Sequence, residues 1–145
     1  MDALLANWDR HCQNWGFLKQ GDGFSFAPIF DNAGCLYSYA DKKKRIEDTL
    51  THPELMKVAI EDYPATRLRT KEGYSSHYYV LEDGFGPEMD AALTRIYPRI
   101  DLNKIEAFLD DCLEEEPLLL LYYKTMIRMR YETILTPAYH RAIHK

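Results

Sequence analysis

The residue pattern predicts a mainly α-helical fold with one or two small β-hairpins near its N-terminal third. Two short apolar-aromatic runs, Trp15–Lys19 and Phe24–Ala27, are separated by Gln20-Gly21-Asp22-Gly23, a sequence suited to reversing a strand. From about residue 40 onward the pattern turns helical. Pro53, Pro87, Pro117 and Pro137 each stand where a helical stretch opens, a position at which a missing N–H does no harm.

Taken in order, residues 1–6 read as the last turn of a helix. Residues 7–14, Asn-Trp-Asp-Arg-His-Cys-Gln-Asn, have no period and are rich in hydrogen-bonding side chains, with few of the small residues of idle loops. The hairpin follows; Pro28 removes a donor and ends its second strand, and Asp31-Asn32-Ala33-Gly34 is another tight polar segment. Phe24, Phe26, Tyr37 and Tyr39 alternate as strand-like packing residues. The basic run Lys42-Lys43-Lys44-Arg45, surrounded by Asp41, Glu47 and Asp48, reads as a solvated loop or helix start.

A helix is expected from Thr51 or His52, with Pro53 in its first turn and Pro64 at its end. Arg67–Thr70 and His77–Leu81 flank Glu72-Gly73 as a second small hairpin. Gly84 and Gly86 mark a turn before a helix that carries Met89, Leu93 and Ile96 on one face. Asp101 is the expected N-cap of a helix with Leu102, Ile105, Leu109 and Cys112 at helical spacing. The longest helix runs from about 118 to 135; it is apolar on most sides through Tyr123, so its first half is expected to be buried.

A chain of 145 residues fits a single domain, residues 1–145. Hydrophobic residues make up 46% and charged residues 28%, an ordinary globular balance. The net charge of −5 argues against nucleic acid as a partner. Cys12, Cys35 and Cys112 are far apart, so neither a disulfide framework nor a zinc knuckle is expected. Leu118–Tyr123, the longest apolar run, is far short of a membrane span, and Asp2, Asp9 and Arg10 break any N-terminal leader, which leaves the cytoplasm as the expected location.

The residues suited to chemistry lie before position 36. Phosphoryl transfer from ATP asks for a carboxylate that orients the acceptor hydroxyl and takes its proton, and for oxygen ligands that hold Mg²⁺ against the phosphates. Asp9 and Asn14 are five residues apart in a loop, the separation found in the protein-kinase H-R-D-x-x-x-x-N catalytic loop. A hairpin later, Asp31 sits in Phe30-Asp31-Asn32, where protein kinases place the Asp of D-F-G. Taken alone, Asp9 and Asn14 are turn residues bonding their own backbone; the order of base, amide, hairpin and second carboxylate favours a site. His11 beside Cys12 reads as a structural histidine, since adjacent residues rarely reach one ion. Ser75-Ser76 with His77 reads as an exposed turn.

On these residues the chain resembles the HipA-like serine/threonine kinases, whose best-known members are bacterial toxin kinases. Their catalytic loop reads approximately N-x-D-x-H-x-x-N, and Asn7-Trp8-Asp9-Arg10-His11-Cys12-Gln13-Asn14 fits its four fixed positions. Their metal segment reads roughly A-P-x-[FY]-D, which Ala27-Pro28-Ile29-Phe30-Asp31 matches. Trp15-Gly16 and Asp31-Asn32-x-Gly34 look like the branch common in Gram-positive bacteria. Pro98–Asp101 and the later helix with Arg130-Tyr131 agree more loosely.

The resemblance implies the C-lobe of a protein-kinase-like fold, with ATP and Mg²⁺ as cofactors. Asp9 would be the catalytic base, and Asn14 and Asp31 would bind Mg²⁺ and so reach the ATP phosphates. His11 would buttress the loop from inside and Asn7 would hydrogen-bond loop backbone. Gln13 departs from the founding toxins, which carry Lys there. In the family an N-lobe precedes the catalytic loop, whereas eight residues precede Asp9 here. The expected partners are therefore an N-lobe or upstream subunit and a protein substrate. Self-association is also expected, through apolar surface left beside Ala3, Leu4 and Leu5. The function implied is transfer of the ATP γ-phosphate to a protein hydroxyl once that lobe is supplied; the alternative is a non-catalytic interaction module that keeps the fold. A toxin–antitoxin role would rest on a partner gene.

Overall fold

The computed structural model of the chain describes residues 1–37, 43–63, 65–70, 73–83 and 86–144. Lys42, Tyr39, Pro64, Glu72 and Gly84, on which parts of the sequence reading fall, lie outside the described residues.

A one-turn helix α1 (Asp2–Leu5) opens the chain, and the loop 7–14 leads to the hairpin β1 (Phe17–Gln20) and β2 (Gly23–Phe26). The strands pair antiparallel with Phe17 opposite Phe26 and Gln20 opposite Gly23, leaving Gly21-Asp22 as a two-residue turn. Gly21 takes φ 60°, which a turn of this kind requires of its first residue and which glycine adopts without strain. Both strands are exposed along their length. Phe24 (72% exposed) and Phe26 (57%) therefore do not pack into the core as their alternation suggested; Tyr37 does. A two-stranded ribbon has no second layer to cover it, so period-two spacing fixes the faces without burying either.

Helix α2 (Lys43–Thr51) follows, begun by the exposed part of the basic run, and then α3 (Pro53–Lys57), which widens into a π-helical turn over Val58–Asp62. A second hairpin does form, from β3 (Ala65–Thr70) and β4 (Gly73–Ser76), but its second strand ends earlier than expected. His77–Leu81 is not strand; it begins helix α4 (His77–Asp83). A short aromatic and apolar run fits either state, and here Ser76, whose Oγ lies 3.5 Å from the N–H nitrogen of Tyr79, sits at the helix N-cap. Nor is this an exposed turn: Ser76 and His77 are buried, with the Ser76 hydroxyl donating to the Glu61 carbonyl.

Helix α5 (Pro87–Ile96) ends in a 3₁₀ turn, Tyr97–Arg99. Asp101 caps α6 (Leu102–Cys112), its carboxylate accepting from the N–H of Lys104 at 3.1 Å. Helix α7 (Pro117–Arg130) runs through a second π turn, Tyr131–Leu135, into α8 (Thr136–Ile143). No helix among the described residues is long and apolar enough to cross a membrane.

The core forms around α7, against which α1, α2 and α6 pack. Its buried residues are Tyr122, Met126, Ile127 and Arg130; in the expected buried first half Leu118, Leu119 and Leu120 pack partly buried against the core, while Leu121 is 55% exposed. Apolar composition on all sides leaves the enclosed turns to be decided by neighbours: the Tyr37 ring meets Tyr122, and Leu4, Ile60, Met126 and Ile127 belong to the same buried cluster. Tyr97 stacks on Tyr139 and Tyr131 with ring centroids 4.3 and 5.0 Å away, and its hydroxyl meets Thr136 Oγ1 at 2.8 Å, fastening the end of α5 to α8.

Candidate functional site

Helix α1 ends at Ala6 in the left-handed region (φ 53°), which turns the chain into the loop 7–14. Asn7 is buried under that turn: its Oδ1 accepts from the N–H of Asp9 at 3.1 Å and its Nδ2 donates to Asp2 Oδ1 at 3.2 Å. Asn14, also buried, donates from Nδ2 to the Asp9 carbonyl at 2.8 Å. A carbonyl can only accept, so the amide nitrogen is the atom that faces it, and the Asn14 oxygen is left over for a cation. His11 brings Nε2 to 4.0 Å from Asp9 Oδ2 and accepts from the N–H of Gln13 at Nδ1 (3.3 Å). With its side chain 34% exposed, His11 braces the loop from its rim; the interior place assigned to it belongs to Asn7 and Asn14.

The segment that carries Asp31 lies against this loop. Asp31 is exposed and holds φ 54°, a conformation Asp tolerates better than most residues. Gly34 is buried where a Cβ would come within 3.1 Å of Asn7 Oδ1 and 3.2 Å of both Asp9 Cβ and Trp8 Nε1. A methyl there would be tighter than ordinary contact, so either segment would have to give by a few tenths of an ångström. The Leu36 N–H donates to the Leu5 carbonyl at 2.7 Å, a second tie. Among the described residues, the non-glycine positions with positive φ are Ala6, Asp31, Leu36 and Tyr37, all beside this junction. Backbone strain of this kind persists where surrounding contacts enforce it, and it gathers at functional sites.

Arg10, which no sequence motif singles out, makes a dense set of contacts in the region. Its Nη1 donates to the carbonyls of Asn14 (2.8 Å) and Phe30 (2.7 Å), Nη2 to Asn32 Oδ1 (2.8 Å), and Nε and Nη2 grip the Asp2 carboxylate at 3.1 Å each. Most of these acceptors are backbone or lie about twenty positions away, so no motif could reveal them; the one visible signal was a basic residue inside an otherwise neutral-to-acidic loop.

The donor set suits a hard cation. Among the described residues no three His, Cys, Asp or Glu side chains gather around a common point; Mg²⁺ is usually held by one or two carboxylates with further oxygens and water, and Asn14 and Asp31 are side chains of that type. An open cleft of about 360 Å³ lies beside it, lined by Asp2, Arg10, Asn14, Trp15, Phe26 and Ile29. Trp15 stacks on Phe26 with centroids 6.0 Å apart, and Phe17 meets both rings edge-on, making an exposed aromatic face next to the cleft.

Away from the site, Arg130 is a buried cation held mainly by neutral acceptors: the Ala3 carbonyl at 2.7 Å, Tyr37 Oη at 3.0 Å and the Ile60 carbonyl at 3.3 Å. Its Nη2 lies 3.3 Å from His77 Nδ1. Burial, and next the Arg130 charge, push the His77 imidazole down to about 3, so it is neutral and accepts from the guanidinium. Arg130 thus ties the helix ahead of the catalytic-type loop to Tyr37 behind the Asp31 segment.

A mainly helical body with small antiparallel hairpins, carrying this loop and segment at one edge, is the C-lobe of a protein-kinase-like fold. The chain is homologous to the serine/threonine-protein kinase CtkA of Helicobacter pylori, with 34% identity over 145 residues, 98% of this chain and 44% of that protein. The crystal structure of a proinflammatory kinase CtkA from Helicobacter pylori superposes with a TM-score of 0.91 at 33% identity, over 99% of this chain and 53% of that one. The chain therefore spans about half the length of the relatives it matches. No family model matches it.

Proposed function

We propose that this chain is the catalytic-loop portion of a HipA-like serine/threonine protein kinase, acting with ATP and Mg²⁺ once an N-lobe, on the same polypeptide or a partner, covers the cleft. The observation that carries the proposal is the contact between two segments: Gly34 against Asn7 and Asp9, and Arg10 holding the carbonyls of Asn14 and Phe30 on one nitrogen. Asp9 orients the acceptor hydroxyl of a protein substrate and takes its proton as the oxygen bonds the γ-phosphorus and the bond to ADP breaks. Asn14, through Oδ1, and Asp31, through its carboxylate, hold Mg²⁺, which neutralises phosphate charge when bound. Asn7 keeps Asp9 in place through the backbone. The exposed rings of Trp15, Phe17 and Phe26 offer the N-lobe an apolar seat, since soluble proteins seldom leave such a cluster uncovered.

A chimera tests this: the matched half of the Helicobacter pylori kinase is replaced by this chain, and transfer from labelled ATP is followed. Transfer that falls by roughly 10²–10⁴ in Asp9→Asn is expected, the usual worth of a positioned base. A folded chimera equally active with and without Asp9 rules the assignment out. A folded but inert one favours the interaction-module reading.

A further inference from the structure

We propose that Arg10 is the positioning residue of the cation site: its guanidinium sets the spacing between the loop that carries Asn14 and the segment that carries Asp31. The inference rests on the function proposed above, in which those two side chains hold Mg²⁺.

Arginine has five N–H donors in a planar fork, and here every one is engaged. Nε and one Nη2 hydrogen grip Asp2 side-on, both Nη1 hydrogens go to the Asn14 and Phe30 carbonyls, and the remaining Nη2 hydrogen goes to Asn32 Oδ1. The carbonyl of Asn14 itself and the residues on either side of Asp31 therefore hang on one rigid plane. The covalent link between the two segments cannot do this work. It is the exposed hairpin, closed at its base by the bond from the Ala27 N–H to the Gly16 carbonyl at 2.9 Å. A ribbon of two strands is marginal in water.

Asp2 completes the device. It accepts from both Arg10 and Asn7 Nδ2, so the same carboxylate anchors the plane to α1 and to the start of the loop. It also offsets the guanidinium charge. Mg²⁺ demands near-ideal octahedral geometry at about 2.0–2.1 Å, so a shift between its two protein ligands is felt directly. Lysine, with three donors on a point charge, cannot span the same acceptors.

The test uses Mn²⁺, which shares the octahedral oxygen preference and is counted by the paramagnetic resonance of the free ion. Wild type, Arg10→Gln, Arg10→Lys, Asn32→Ala and Asp31→Asn are titrated as whole chains, with thermal melts in parallel. Loss of an outer partner of a metal ligand typically costs 10–100-fold in affinity, so Arg10→Gln is expected to weaken Mn²⁺ binding about tenfold or more. Arg10→Lys should fall between it and wild type, and Asn32→Ala should weaken binding about two- to fivefold with its melting temperature unchanged. A purely structural role would lower the melting temperature and leave the affinity of the folded protein alone. Wild-type affinity in folded Arg10→Gln, together with lost binding in Asp31→Asn, overturns the Arg10 assignment alone. Should Arg10→Gln not fold, unchanged affinity in exposed Asn32→Ala overturns it instead. Mn²⁺ binding that is absent, or indifferent to Asp31→Asn, overturns the cation site and this inference with it.

Discussion

Acid should weaken this protein through one identifiable group, His77. Its imidazole is 7% exposed, faces the Arg130 guanidinium and is held down to about 3 from an ordinary 6.5. The sign follows from proton counting: between those values the unfolded chain binds a proton at this ring and the folded chain does not, so stability rises with pH across the window. The contribution is complete above about pH 6.5 and declines on acidification toward pH 3, by about 1.4 kcal/mol per pH unit. Between pH 8 and pH 4 the loss from His77 alone comes to roughly 3 kcal/mol, a large share of the ~5–15 kcal/mol that holds a domain folded. Urea unfolding followed by circular dichroism at pH 8, 6.5, 5 and 4 measures it. The control is His77→Gln, whose amide oxygen can accept from Arg130 and cannot gain a proton. Carboxylates titrate in both proteins, so the difference between the two pH profiles isolates the ring. Parallel profiles from pH 6.5 to pH 4 would refute the reasoning.

Arg130→Met keeps most of the volume and orphans the Ala3 carbonyl and one contact of Tyr37 Oη. At about 1–3 kcal/mol for each buried group left unpaired, the melting temperature in calorimetry should drop by roughly 5–15 °C, and a shift below about 2 °C would contradict the role given to Arg130. Gly34→Ala forces a methyl to 3.1–3.2 Å from Asn7, Asp9 and Trp8, so a loss of about 1–3 kcal/mol is expected together with moved amide resonances at Asp9; an unmoved Asp9 amide argues against the contact. Asp101→Ala removes the N-cap of α6 and should cost about 1 kcal/mol with Mn²⁺ affinity unchanged, whereas Asp101→Ser should restore most of the stability.

What the sequence made legible was local. The Gly21-Asp22 turn, the Asp101 cap and the proline-led helices depend on neighbours in the chain, and each stands where spacing and turn chemistry place it. His77–Leu81 failed because a short aromatic run has no decisive period, and its helix is selected by Ser76 and by burial against Arg130. Burial along α7 was legible in part: Leu118, Leu119, Leu120 and Tyr122 do pack against the core while Leu121 does not, and the fully enclosed positions share a cluster with Tyr37, Leu4 and Ile60, all remote in sequence. At the candidate site, spacing singles out Asp9, Asn14 and Asp31 as candidates, while Arg10 carries no such signal, because its acceptors are two main-chain carbonyls and the side chains of Asp2 and Asn32, which no motif links to it.

The hairpin has a practical consequence. Its two ends are held on both sides of its base, by the Gly16–Ala27 bond and by the carbonyls of Asn14 and Phe30 on Arg10, while its tip at Gly21-Asp22 is exposed. Lengthening a loop whose ends are pinned adds only a slowly growing closure entropy, about 0.6 kcal/mol per doubling. An epitope or a fluorophore-binding peptide spliced between those two residues would leave the Asn14–Phe30 spacing intact and report, from a few nanometres or less, when another molecule settles over the neighbouring rings.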